Sequence, residues 1–338
     1  MKTNFKDLII KVYNDDLDLD STRTAFSMIM NGEINDTQIS AFVSLLQKSG
    51  IKAHHVIGAL EIMRSKMIGI KSKVKSIDTC GTGGDGKNSL NISTATAFVL
   101  AAKGISVAKH GNKALTSKCG SADVLKALNI KVDMEISKLE SCLSEIGMCF
   151  MFAPNHHPAM KFVGPVRQQL GIRTIFNILG PLLNPANVEN QIVGVYSEEV
   201  FNIYKEVFDK DAAKNVCLVS GFNNNDEISL DGVNTIYTKN NGIFEFDPKI
   251  LDIPKTNLSE ISGGDADYNA NRILEIFNGK IDSFFNTVCI NSAFGIMLHE
   301  SISINNDNIL KIFEDPKNLM LSKKPIDVIT NLSKFTNS

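Results

Sequence analysis

The pattern of this chain changes near residue 70, and the change limits the possible folds more than any single motif does. Ahead of it, apolar residues recur at helical spacing: Ile39, Phe42, Val43 and Leu46 fall on one face, after a cap candidate at Asp36 and before a stop at Gly50. Val56, Ile57, Leu60 and Met63 repeat that pattern, and no strand is expected in the first 68 or so residues. A basic, serine-containing connector around Ile70–Lys75 then leads into short β-branched or apolar runs that alternate with helices. Ile105–Ala108 predicts a strand, Val124–Leu128 part of a helix, and Val216–Val219 a buried strand ending at Ser220 and Gly221. Such alternation favours an α/β sheet with parallel segments.

Within that second region, Gly81-Thr82-Gly83-Gly84-Asp85-Gly86 precedes a helix expected over Asn91–Lys103 and stopped by Gly104. Glycines let backbone N–H groups approach an anion closely, and the following helix aims its positive end at the same place. Two common motifs overlap this turn. Gly81-x-Gly83-x-x-Gly86 satisfies the dinucleotide fingerprint, yet the acidic residue needed about 20 positions on is replaced by basic Lys109 and His110. Gly81 to Lys87 approaches a Walker A loop, but Asn88 stands where a magnesium-binding hydroxyl is needed and Asp85 puts an acid inside the loop.

A structural turn remained possible until the surroundings are weighed. Asn88, Ser89, Asn91, Ser93 and Thr94 exceed the one or two side chains that capping requires. A second loop follows the strand at Lys109, with Lys109, Asn112, Lys113, Thr116, Ser117, Lys118 and Ser121 as donors and Gly111 and Gly120 for tight turns. Together the loops point to a phosphorylated ligand. Asp226 and Glu227, adjacent in the polar run after the Val216–Val219 strand, suit a hard cation that bridges to phosphate. Taken alone they are equally a solvated surface pair.

Length and composition set the remaining bounds. The 338 residues fit about two domains, and a net charge of −2 gives no field to attract nucleic acid or an anionic membrane. The six cysteines contain no C-x-x-C pair, which argues against a zinc site or a stapled secreted fold. No apolar signal region opens the chain and no run reaches the ~18 apolar residues of a membrane span, so a cytoplasmic protein is expected.

Several longer segments carry a family resemblance. Asp78–Asp85 (DTCGTGGD), Asn91–Thr94 (NIST), Lys109–Asn112 (KHGN) and Ser117–Asp123 (SKCGSAD) occur in order. They are followed by His156–Lys161 (HHPAMK), Gly164–Arg167 (GPVR), Leu170–Pro185 (LGIRTIFNILGPLLNP), Asp226–Ser229 (DEIS), and Gly263–Ala266 (GGDA) with Asn269 and Ala270. Across nearly the whole chain this resembles anthranilate phosphoribosyltransferase. It departs from that family's frequent residues at Lys113, Ser89 and Asn129, where arginine, threonine and glycine are usual; Asn129 stays compatible with a left-handed helix end.

The resemblance implies transfer of a 5-phosphoribosyl group from phosphoribosyl pyrophosphate to the amino group of anthranilate, with release of pyrophosphate. It implies an α/β fold of the nucleoside phosphorylase/phosphoribosyltransferase type: a small helical domain plus a larger α/β domain with a central mixed, largely parallel sheet. The helical domain would span 1–70, joined by a helical insertion near 165–190, and the α/β domain 71–164 and 191–338. Gly81, Gly84, Asp85, Ser89, Asn91, Ile92, Ser93, Thr94, Lys109, His110, Gly111, Asn112, Lys113, Ala114, Leu115, Thr116, Ser117 and Ser121 would surround the donor. Gly81, Asn112, His157, Arg167, Gly180 and Pro181 would lie near anthranilate, Arg167 as the cation for its carboxylate. Ser93, Asp226 and Glu227 would contact magnesium, two ions per active site, and no residue is expected to act as acid, base or nucleophile. A homodimer through the helical domain is implied as well. Phosphorolysis of a pyrimidine nucleoside would use a related fold, but its substrate motif of two basic residues and serine has no counterpart here.

Overall fold

In a computed structural model, the structure describes residues 4–72, 74–83, 86–114, 118–211, 214–254 and 256–338. Its helices in chain order begin with α1 (Phe5–Tyr13), α2 (Leu19–Met30), α3 (Asp36–Ser49) and α4 (Ala53–Lys66). They continue with α5 (Ile92–Ala102), α6 (Ser121–Ala127), α7 (Ile136–Ile146), α8 (Ala153–His156), α9 (Gly164–Leu170), α10 (Ile175–Leu179) and α11 (Glu198–Lys210). The remainder are α12 (Leu258–Ile261), α13 (Ala266–Phe277), α14 (Ser283–His299), α15 (Asn306–Leu321) and α16 (Lys324–Asn337).

The chain divides into two compact units, one made of residues 1–69 and 154–185, the other of 70–153 and 186–338. In the helical unit the periodic apolar residues face inward, with Ile39, Phe42, Val43 and Leu46 of α3 all buried. The cap of α3 falls one residue earlier than expected: Asn35 accepts from Gln38 N, and Asp36 becomes the first helical residue, where its charge favours the helix N-terminus. The second segment of this unit starts at 154, ahead of the expected 165. Ile68 N donates to His156 O at 2.8 Å, and a Cβ on Gly32, whose φ is +74°, would come within 2.5 Å of the Phe162 ring. Those close contacts fasten residues 156 to 162 to the helical unit. At the other end Ala186 and Val188 already pack in the core of the α/β unit, which returns the chain there after 185 and not after 190.

The α/β unit is built on a seven-stranded sheet: β1 (Ser76–Gly81), β2 (Ser106–Gly111), β3 (Met148–Phe152), β4 (Asn190–Gly194), β5 (Asn215–Ser220), β6 (Asn234–Thr238) and β7 (Gly242–Phe246). Their spatial order is β3-β2-β1-β4-β5-β6-β7. The first five run parallel, while β6 pairs antiparallel with β5 and β7 with β6, so the sheet is mixed and largely parallel. The chain leaves β1 toward β2 and β3 on one side, then resumes at β4 on the other. The order therefore reverses between β1 and β4, the place where open α/β sheets bind ligands outside their carboxyl ends. Two helices of apolar and small residues, α5 and α14, are buried nearly throughout their length.

Candidate functional site

Three strand ends meet at this reversal, with Gly81 paired to Gly194 and Gly194 to Val219. Above them the chain after β5 folds back through a tight turn. Gly221 and Asn225 exchange backbone hydrogen bonds of 2.8 and 3.2 Å, and Asn223 and Asn224 both adopt positive φ, 56° and 59°. Two consecutive left-handed residues form a primed turn, for which asparagine is suited. The polar Gly221–Asp226 run, expected to be one loop, thus acts as a compact device that delivers Asp226 and Glu227 to the strand ends.

Glycine is required where Asp226 arrives. A Cβ on Gly194 would lie 1.4 Å from the Asp226 carbonyl oxygen, and one on Gly81 would lie 2.3 Å from Asp226 Oδ2. That same Oδ2 accepts from Gly83 N at 2.8 Å. The glycine turn and the acidic pair, separated by more than a hundred residues, therefore form one structure. Ser93, Asp226 and Glu227 line a single small cavity of about 20 Å³ together with Thr79, Thr96 and Asn291. All three residues expected near a metal share this place.

Lys109, the fourth residue of β2, is 2% exposed, and its Nζ donates to Thr79 O and, at 3.3 Å, to Ser93 Oγ. Burial pushes its pKa down, while the negative charge of Asp78, followed by Cys80 and Glu227, opposes that shift. Asp78 is itself fully buried and accepts from His110 N and the Gln191 amide. The ammonium is thereby held at the cavity by Thr79 of β1 and Ser93 of α5, with Asp78 as its nearest charge partner.

The second loop is closed by one carboxylate. Asp123 Oδ2 accepts from Ala114 N at 2.9 Å and Gly120 N at 3.0 Å, and Asn112 O accepts from Ala122 N at 3.1 Å. Gly111 must lack a side chain because a Cβ would sit 2.3 Å from Ser121 Oγ. Lys113 lies over the Phe152 ring at 5.8 Å, leaving its ammonium near the end of β3. Asn91 joins the two loops: its Nδ2 donates to Cys119 O, and its Oδ1 accepts from Asn269 Nδ2 at 2.9 Å. Ser89 forms an isolated bridge with Ser262. Ile92 and Thr94 are buried in the unit, and their main-chain N–H groups donate to Leu90 O and Asn91 O at 2.7 and 3.1 Å. Gly84, Asp85, Leu115, Thr116 and Ser117 lie outside the described residues.

The other expected acceptor residues belong to the helical unit. The Arg167 guanidinium, on α9, lies 5.9 Å from the centre of the Phe176 ring on α10. Burial pushes its pKa down, and no ion pair to it exists among the described residues. Residue Gly180 follows α10 directly, and Pro181 is buried in the turn after it. His157 hydrogen-bonds with the backbone of Leu183, whose N–H donates to Gly180 O at 3.1 Å. Burial first, then the charge of neighbouring His156, lowers the His157 pKa to about 4, so it is neutral at pH 7. Thus Arg167, His157, Gly180 and Pro181 share one stretch of the helical unit, while Gly81 and Asn112 belong to the α/β unit.

Several participants escaped the sequence reading. Gly194 belongs to no motif, and its necessity shows only where Asp226 crosses it. Asp78 opens the Asp78–Asp85 motif but drew no role of its own, and Gln191 stands inside β4 without a local signal.

Comparison with known proteins adds an independent line. The Glycosyl transferase family a/b domain matches residues 73–315, and the helical bundle domain of the same family matches residues 6–67. An anthranilate phosphoribosyltransferase of Pelagibacter ubique is 42% identical over 294 residues, covering 86% of this chain and 88% of the relative. One from Petrotoga mobilis is 38% identical over 330 residues, covering 96% and 95%. The crystal structure of the Thermus thermophilus enzyme of that name superposes with a TM-score of 0.90 at 27% identity, covering 98% of this chain and all (100%) of the other. The Saccharomyces cerevisiae enzyme in complex with PRPP and Mg gives a TM-score of 0.91 over 98% of each chain; at 24% identity that is a likeness of fold.

Proposed function

The chain belongs to the anthranilate phosphoribosyltransferase family, and we propose that its sheet-end loops hold the phosphorylated donor while Arg167 takes the acceptor's carboxylate. The enzyme transfers the 5-phosphoribosyl group from phosphoribosyl pyrophosphate to the amino group of anthranilate, giving N-(5-phosphoribosyl)anthranilate and pyrophosphate in tryptophan biosynthesis. The observation that carries the division of roles is the shared cavity of Ser93, Asp226 and Glu227 beside buried Lys109.

Two carboxylates and a hydroxyl are hard oxygen donors that fit magnesium, which favours one or two carboxylates plus substrate phosphates over an all-protein cage. We assign Ser93, Asp226 and Glu227 to that metal, with two ions per active site. When bound, magnesium neutralises charge that develops on the leaving pyrophosphate. Lys109 supplies a positive charge fixed before reaction, so little reorganisation is needed as the C1–O bond breaks. Around the donor, Gly81 and the start of α5, Asn91 to Thr94, form one wall, and Ser89, His110, Gly111, Asn112, Lys113, Ala114 and Ser121 form the second. Gly84, Asp85, Leu115, Thr116 and Ser117 keep their proposed donor roles on the resemblance alone.

Arg167 meets the requirement of an ortho carboxylate: a directed guanidinium that has no acid partner among the described residues and lies beside an apolar ring. His157, neutral at pH 7, positions the acceptor through a hydrogen bond, with Gly180 and Pro181 shaping the apolar surface, and Gly81 and Asn112 keep their proposed acceptor roles on the resemblance alone. The nucleophile is anthranilate's own amine, and no protein nucleophile is assigned. A homodimer through the helical unit belongs to the same proposal, which Ile10 and Tyr13 of α1 support by being 55% and 76% exposed. So does a cytoplasmic location, in keeping with six free cysteines. Purified protein is expected to deplete the fluorescence of anthranilate only when phosphoribosyl pyrophosphate and magnesium are both added. Folded protein without turnover would overturn the functional reading.

A further inference from the structure

We infer that Asn291 is a positioning residue that sets the Asp226–Glu227 carboxylates and, through them, the magnesium dependence of donor use. This rests on the reading that the acidic pair holds the metal. Asp226 and Glu227 are adjacent like charges on a loop, and their mutual repulsion favours spreading apart unless the main chain is fixed. Pairing of β5 with β6 runs only as far as Ser220 and Thr235, and the Gly221–Asn225 main-chain bonds stop one residue short of Asp226, which leaves the chain just after the carboxylates to be held by side chains.

Asn291 provides it from the middle of α14. Its Oδ1 accepts from Ile228 N and its Nδ2 donates to Ile228 O, both at 3.1 Å. The carboxamide thus pairs with the residue after Glu227 as a neighbouring strand would. A helix spends its own main-chain groups internally, so only a side chain of α14 is available for this task. Nδ2 also donates to Thr287 O at 2.8 Å, which fixes the orientation of the amide. Asn291 is 5% exposed among Val288, Cys289, Ile290, Ala293 and Phe294, a setting in which an apolar side chain would be the ordinary occupant. Asn291 lines the same cavity as Ser93, Asp226 and Glu227.

The far side of the loop is held in a matching way. Asn234 Oδ1 accepts from Phe222 N and Ser229 N, and its Nδ2 donates to Ser229 O at 2.9 Å. Asn234 therefore closes the loop at its two ends, while Asn291 fixes the step next to the carboxylates. A purely structural asparagine would lower stability and leave the metal response alone; one that sets the ligands would change that response.

The test is steady-state kinetics on the full-length enzyme with Asn291→Ala, titrating magnesium and each substrate in turn. Partners that orient metal ligands commonly alter metal affinity by about 10- to 100-fold. The half-activating magnesium concentration and the KM for phosphoribosyl pyrophosphate are expected to rise by about tenfold, with the anthranilate KM unchanged. If the alanine variant does not fold, Asn291→Gln keeps the amide but displaces it by a methylene, and the same shift in smaller measure is expected. A fall in kcat with an unchanged magnesium response, or an equal rise in both substrate KM values, would overturn the role. Asp226→Asn and Glu227→Gln run beside it separate the two readings: if they raise the magnesium requirement and Asn291→Ala does not, only the Asn291 role fails. If none of the variants alters it, the metal assignment fails as well, and the inference with it.

Discussion

At Arg167 a positive charge stands half-buried against the face of Phe176 without an acid beside it among the described residues. Burial disfavours the charged form and no acid among the described residues offsets that cost, so the site is arranged for an anion from outside. Replacing Arg167 by alanine removes a hydrogen bond to a charged group, typically ~1.5 to 3 kcal/mol, and should lower kcat/KM for anthranilate by about ten- to a hundredfold. The KM for phosphoribosyl pyrophosphate should stay unchanged; equal loss on both substrates, or none on anthranilate, would refute the carboxylate role. Lysine at this position should recover part of the loss, since it keeps the charge and lacks the planar fork. This residue was legible because arginine is rare in the chain and Arg167 closes the Gly164–Arg167 motif of the family resemblance. Asn291 was not, because one amide within an apolar helical run carries no periodic signal and its partner Ile228 lies 63 residues away.

Among the elements, those with a period or punctuation could be read and those buried on every side could not. The α3 face, the α5 stop at Gly104, the β5 strand and the left-handed Asn129, at φ +59°, follow from local rules. The α14 helix is buried from Ser283 through Leu298 except at half-buried Asn286, so it shows no polar face and no amphipathic rhythm. Strand order was equally hidden, since the crossing from β3 to β4 depends on pairings between distant residues. The β4 end gives a prediction at this scale. In Gly194→Ala the new methyl would collide with the main chain of Asp226, backbone that cannot swing aside as a side chain would. The acidic loop must then lift from the strand ends, so donor KM and the magnesium requirement should rise together while most of the sheet keeps its amide-exchange protection. A variant with wild-type magnesium response would show that the loop tolerates displacement. Serine at Gly180, where a Cβ meets nothing within 4 Å, supplies the contrasting case and should leave the magnesium response unaltered.

Acid should act unevenly on the whole molecule, because buried neutral histidines are concentrated in its helical unit. His55 and His157 are both lowered to about 4, chiefly by burial, and His156 is lowered for the same reason. The α/β unit has His299 as its counterpart. In His55 the neutral ring is used at both nitrogens: Nδ1 accepts from Lys52 N and Nε2 donates to Leu17 O, each at 3.0 Å. Protonation would turn the acceptor at the start of α4 into a donor facing another donor. His156 Nδ1 lies 2.7 Å from Ile68 O, and its Nε2 is buried without a partner among the described residues, so an added proton there would be an unpaired buried charge. These folded-state values lie below the ordinary 6.5, so the unfolded chain binds more protons between pH 6.5 and about 4. The stability they contribute is fully present above pH 6.5 and is lost as pH falls through that window. Thermal unfolding should therefore shift downward from pH 7 to 4.5, and His55→Gln should flatten the dependence. Hydrogen exchange at pH 5 should open α4 and residues 154–157 before β1, β2 and β4. Simultaneous opening of both sets, or a melting temperature that does not fall in this range, would contradict the assignment of the acid-sensitive step to the helical unit.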